Sequence, residues 1–282
     1  MPIHDQGYRR YGGDKARTGT GWIVIARAGI RTMLAKRAFL GLLLVSLVPF
    51  FVRAVQIYLA TTVTQAASLI PVTADTFREY LDGGPQHVFV FFITVYVGAG
   101  LIANDRRANA LQIYLSKPLT RAEYIFGKFA VLATFLLLVT WLPAMVLLVV
   151  QIAFSGNFTF LRNNLYLFPA ITVFSFLEVA MVASTMLALS SLSNSSRYVA
   201  ILYAMVLFFS QAIYGVTYAA TRSSAFSWLS FFGNLSQVGS VIFRQPLRYD
   251  TPWPLSLFVI VAAIAVSAVI LERRVRGVEI VA

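Results

Sequence analysis

Apolar and polar positions along this chain fall into long blocks rather than short alternations. Six mostly apolar runs, at about 38–60, 87–104, 126–152, 166–191, 198–220 and 254–271, are parted by segments rich in charge, Gly, Pro, Ser and Asn. The hydrocarbon layer of a bilayer is about 30 Å thick, so about 20 apolar residues carry a helix across it. Each run has roughly that reach. The pattern predicts an all-α polytopic membrane protein with six transmembrane helices. Residues 193–197 (Ser-Asn-Ser-Ser-Arg) alone separate the fourth and fifth runs, which predicts a short turn between antiparallel neighbours.

The segments between the runs carry patterns of their own. Over 21–37, Trp22, Ile25, Ala26, Gly29, Ile30 and Met33 form a stripe at helical spacing, with Arg27, Arg31 and Lys36 off it. That is the pattern of a helix lying in the membrane interface. Residues 73–82 suit a short helix ended by Gly83-Gly84-Pro85. Residues 225–243 are apolar enough to suggest a seventh span. They also hold Gly233, Asn234, Ser236, Gln237, Gly239 and Ser240, which are costly against lipid, so one or two short helices at the outer face are expected instead.

The most informative segment joins runs 2 and 3. Ala108, Leu111 and Leu115 recur at i, i+3 and i+7, predicting an amphipathic helix over 105–116 with Asp105 at its positive end. Pro118 disfavours helix at Lys117 and should stop it. Thr120 followed by Glu123 reads as a capping box that starts the third span. Helix, proline break and freshly capped helix together make an elbow able to transmit a push into the membrane.

Composition and charge narrow the class further. Of 282 residues, 59% are hydrophobic and 12% charged, about half the charge of a soluble domain. The absence of cysteine excludes disulfides and thiolate chemistry, and His4 and His87 are too few and too distant for a histidine metal site. The net charge of +12 would suit nucleic acid or anionic lipid. Its distribution favours lipid. In a model with both termini inside, the inside segments hold 17 of the 23 Lys and Arg; only Arg53, Arg78, Arg162, Arg222, Arg244 and Arg248 lie elsewhere. Nucleic acid is therefore not an expected partner. Residues 1–20 are polar and basic with no apolar core, and are expected to form a mobile cytoplasmic tail ahead of a single transmembrane domain over 21–282.

Glu178 sits near the middle of the fourth run, flanked by Leu177 and Val179. A carboxyl at that depth lines a translocation path or subunit interface, or is a buried structural group. Arg53 is expected to reach the outer headgroups rather than pair with it. Ser175, Ala180, Ala183, Ser184 and Ala188 permit close helix contact in the same run. Pro49, Pro143 and Pro169 are expected to kink their helices.

The stretch from Gly100 to Phe129 resembles the signature of type-2 ABC transporter permeases. There an acidic-Arg pair ends the second span, a short helix follows, then a Leu-x-Lys/Arg-Pro turn, an Arg, and Gly-Lys entering the third span. Asp105-Arg106, Leu115-Ser116-Lys117-Pro118, Arg121 and Gly127-Lys128 fall on those positions, whereas Ala108-Asn109 replaces a small Ser/Gly-type pair. The ending from Arg273 to Glu279 is similar to tails in that family. The resemblance implies a permease, an exporter by expectation, in the bacterial cytoplasmic membrane. Its partners would be cytoplasmic ATPase subunits that hold ATP and Mg, a second permease chain, identical or not, and membrane lipids. Asp105, Arg106, Arg107, Ala108, Leu111, Tyr114, Leu115, Lys117 and Pro118 would then touch the ATPase. No GxxxxGK[ST] phosphate loop is present, so the chain itself is expected to bind no cofactor and to be no enzyme. The alternatives are an ion-driven secondary transporter, which needs several intramembrane acids, and a lipid-modifying enzyme, which needs a polar cluster at one depth.

Overall fold

A computed structural model describes residues 20–62, 72–110, 119–155 and 159–275. The expected tail, together with Leu111, Tyr114, Leu115, Lys117 and Pro118, lies outside the described residues. Those described form helices and no strand. Six helical stretches are long and apolar enough to cross a membrane: Arg37–Thr62, Ala74–Arg107, Arg121–Phe154, Leu167–Leu192, Ser196–Thr221 and Trp253–Arg274. They alternate in direction, giving the bundle one end that carries Asp105 and an opposite end that carries Asp82.

Span 4, Leu167–Leu192, is the axis of the bundle. Of its most apolar window 61% is buried, against 17% for spans 1 and 5. It packs on spans 2, 3, 5 and 6. The small residues explain how: Ser175, Ala183, Ser184 and Ala188 are all buried. Opposite them, Gly98 of span 2 leaves no room for a Cβ between Met186 of span 4 and Leu132 of span 3, so three helices meet at one glycine.

Several spans are broken, and each break has a chemical cause. Span 1 divides into two helices, Arg37–Ser46 and Val48–Thr62, with Pro49 just after the break. Span 3 divides into Arg121–Val139 and Trp141–Phe154. Pro143 has no N–H to give the carbonyl of Val139, four residues back. Gln86 Nε2 of span 2 donates to that carbonyl at 2.6 Å instead. Pro169 makes no kink, because it falls in the first turn of span 4, where a missing N–H costs nothing.

Span 2 is the most interrupted. Helix Ala74–Asp82 ends at an extended Gly83, and helix Gly84–Ile93 follows, then a π-helical turn Thr94–Gly98 and a short helix Ala103–Arg107. The Ala74–Asp82 opening is the short helix expected before Gly83-Gly84-Pro85, and it extends the helical stretch of span 2 beyond the apolar run. The backbone freed near Gly100 is satisfied by one side chain. Ser190 Oγ of span 4 accepts from Ile102 N at 3.2 Å and Ala103 N at 3.1 Å, and donates to Ala99 O at 2.9 Å. Irregular backbone at membrane depth survives where protein re-satisfies it.

Helix Gly21–Leu34, here α1, lies along the first half of span 3. Residues 224–242 form a 3₁₀ turn, Ser224–Leu229, and a helix, Phe231–Ile242, rather than a seventh span.

Candidate functional site

Two of the residues singled out between spans 2 and 3, Asp105 and Arg106, form a clamp. Asp105 accepts from Lys128 Nζ at 2.6 Å and from the Tyr124 hydroxyl at 2.7 Å, both on the first turns of span 3. Arg106, one residue on, faces the other way and donates to the carbonyl of Ser191 at the end of span 4. The adjacent acidic and basic side chains thus tie one short helix to two different spans. Helix Ala103–Arg107 is too short to hold this position alone; the side-chain bonds hold it.

Span 3 begins as a capped helix. The Thr120 hydroxyl accepts from Glu123 N at 3.2 Å, and Glu123 Oε2 accepts from Thr120 N at 2.9 Å. Each side chain satisfies an amide that the first turn leaves without a partner. Glu123 Oε1 also accepts from Gly21 N at 3.4 Å, so the cap binds the start of α1. Gly127 lets α1 approach: a Cβ there would lie 2.8 Å from Ile25 Cβ and 3.0 Å from the Trp22 carbonyl oxygen. Asp105, Arg106, Tyr124, Gly127 and Lys128 are therefore one assembly that joins α1 and spans 2, 3 and 4.

The helix expected over 105–116 is not continuous. Helical backbone ends at Arg107, and Asn109 takes a left-handed φ of 52°. Asn tolerates that conformation better than most residues, so Ala108-Asn109 turns the chain. Arg107 and Ala108 are both exposed.

Glu178 is 1% exposed, and neither carboxylate oxygen accepts a hydrogen bond from any described residue. It lies inside the single bundle, within electrostatic reach of Tyr80, Asp82 and Tyr203. Arg53 does not approach it, pairing with Glu79 at 3.0 Å.

Sequence reasoning missed a second polar centre at the opposite end. Asp82 is almost wholly buried and accepts from Ser236 Oγ at 2.6 Å and Arg248 Nη1 at 3.3 Å, with Arg78 Nη2 at 3.8 Å and His87 Nε2 at 3.9 Å. Ser236 and Arg248 stand more than 150 positions from it in the chain. Only the Gly83-Gly84-Pro85 break marked this place. Beside it a cavity of about 540 Å³ is walled by Phe91, Phe92, Phe208 and Phe232. Among the described residues there is no cluster of three or more His, Asp or Glu able to hold a metal.

A comparison with curated proteins finds no match. The family model described as ABC-2 family transporter protein matches residues 23–274, which take in α1 from its third residue, all six spans and the Asp105–Lys128 clamp. With six membrane-spanning helices and a family match over nearly its full length, the chain belongs to the ABC-2 transporter family, as a multi-pass permease of an ABC transporter.

Proposed function

We propose that this permease is an exporter subunit moved by ATP hydrolysis on a separate polypeptide, with residues 105–118 as the place where that polypeptide pushes. The observation that carries the reading is the clamp. A force applied after Arg107 reaches span 3 through the Asp105–Lys128 pair and span 4 through Arg106 and Ser191. It reaches α1 through Glu123 and Gly21. These bonds join rigid helices directly, so three spans shift together when the short helix is displaced. In this reading ATP and Mg belong to the partner, and a second permease chain, identical or not, completes the pathway.

The orientation proposed has both termini in the cytoplasm of a bacterial cell. It is supported by charge. At the Asp105 end Arg27, Arg31, Lys36, Arg37, Arg107, Arg121, Arg197, Arg273 and Arg274 are exposed and have no acidic partner among the described residues. At the Asp82 end Arg53, Arg78 and Arg248 are paired with carboxylates, and Arg162, Arg222 and Arg244 are exposed without an acidic partner among the described residues, three such cations against nine. Unpaired cations concentrate on the cytoplasmic side of membrane proteins.

Replacing Leu111 and Leu115 together by Asp tests the coupling. The variant is expected to extract from membranes as a monodisperse protein, yet to lose its associated ATPase or the stimulation of that ATPase by transport. Full association and full stimulation in a well-folded L111D/L115D protein would refute the assignment.

A further inference from the structure

The Asp105 end also contains a cavity of about 710 Å³, one wall of which is the Asp105–Lys128 pair of the clamp. It lies between α1, the second half of span 2, the start of span 3 and the start of span 5. Its charged lining is unbalanced. Asp105 is its acid, and Lys128 neutralises it at 2.6 Å. Lys36 and Arg197 remain, both exposed and without an acidic partner among the described residues. Lys36 contacts only the Met33 sulfur at 3.7 Å and the face of Tyr96, 5.8 Å from the ring centre. The first amides of span 5 add potential of the same sign, since Ser195 caps none of them with its side chain.

Val24, Ile25, Met33, Val95 and Val131 form apolar walls, Gly29 and Gly100 leave depth, and Thr32, Asn104 and Ser196 add uncharged polar groups. Span 5, whose start lines the cavity, is among the least enclosed spans of the bundle, so the cavity opens toward the outside of the bundle. Two free cations at the rim select an anion, and the apolar walls select a chain attached to it.

We infer that this cavity holds an anionic phospholipid, its phosphate between Lys36 and Arg197 and an acyl chain along α1 and span 2. A zwitterionic lipid gains less there, because its own cation meets the same two positive groups. The assignment stands independently of the transport reading, since it concerns binding to the membrane chain alone.

The test uses the full chain in nanodiscs of equimolar phosphatidylcholine and phosphatidylglycerol, with lipids retained on the protein counted by native mass spectrometry. Each cation near a membrane surface attracts anionic lipid by about fivefold, so retained phosphatidylglycerol should exceed phosphatidylcholine by on the order of tenfold. The K36Q/R197Q variant should retain the two about equally. R27Q/R31Q, which removes two cations of α1 outside the cavity, should keep the preference. Thermal melting in detergent checks that each variant is folded. Equal retention by the unaltered protein overturns the inference, as does an equal loss in R27Q/R31Q. A change of oligomeric state in K36Q/R197Q with the lipid ratio unaltered also overturns it, by assigning the cavity to a second copy.

Discussion

Single side chains hold this bundle together where its backbone is broken. Pro143 frees the Val139 carbonyl, and Gln86 answers it across a helix interface at 2.6 Å. The Q86L variant should lose about 1 kcal/mol, because the buried carbonyl then keeps the longer bond from the Tyr80 hydroxyl at 3.5 Å but loses its short one. Adding P143A should return most of that loss, because the alanine N–H can take back the carbonyl. Denaturant titration of the two variants decides it, and equal stability of Q86L and Q86L/P143A would show that the carbonyl is not the cause. At the clamp, D105N leaves Lys128 without its counter-charge in a largely buried setting. A loss of about 1–3 kcal/mol is expected. K128M should cost less when combined with D105N than when made alone, which a double-mutant cycle on melting temperature reads directly.

Elements here are placed by a few contacts with no slack. Helix α1 rests on span 3 at Gly127, where a β-carbon would collide with Ile25 and with the Trp22 backbone. The backbone oxygen cannot rotate away, so G127V should lift α1 while leaving the spans intact. Amide exchange over 21–34 is expected to quicken by about tenfold or more, with exchange in span 4 unchanged. Unaltered protection of α1 would mean that its docking rests elsewhere. The amphipathic stripe of α1 was readable from residue spacing, and so was the cap at Thr120 and Glu123, because helices and caps obey local rules of three and four residues. The break at Asn109 was less readable. Ala108, Leu111 and Leu115 share a helical spacing, yet one left-handed residue is enough to interrupt the helix that spacing suggests.

On the scale of the whole molecule, orientation can be read with single cysteines, since the natural chain has none. S195C, between spans 4 and 5, should label from the same side as T20C. S224C, beyond span 5, should label only from the other side. Labelling of S195C and S224C from one side would overturn the six-span path.

The order of apolar runs determined the span number, their ends to within a few residues apart from span 2, and the excess of positive charge at one end. These are properties of chain stretches measured against a slab of fixed thickness, so nothing distant is needed to derive them. Tertiary structure alone decided what the polar groups do. Asp105 and Arg106 are neighbours in sequence but serve different spans. Asp82 finds Ser236 and Arg248 across most of the chain, and Ser190 repairs a break in a helix it does not belong to. Inside a bilayer a broken backbone or a lone charge must be answered by protein, and which residue answers depends on which helices meet, a fact that no local pattern records.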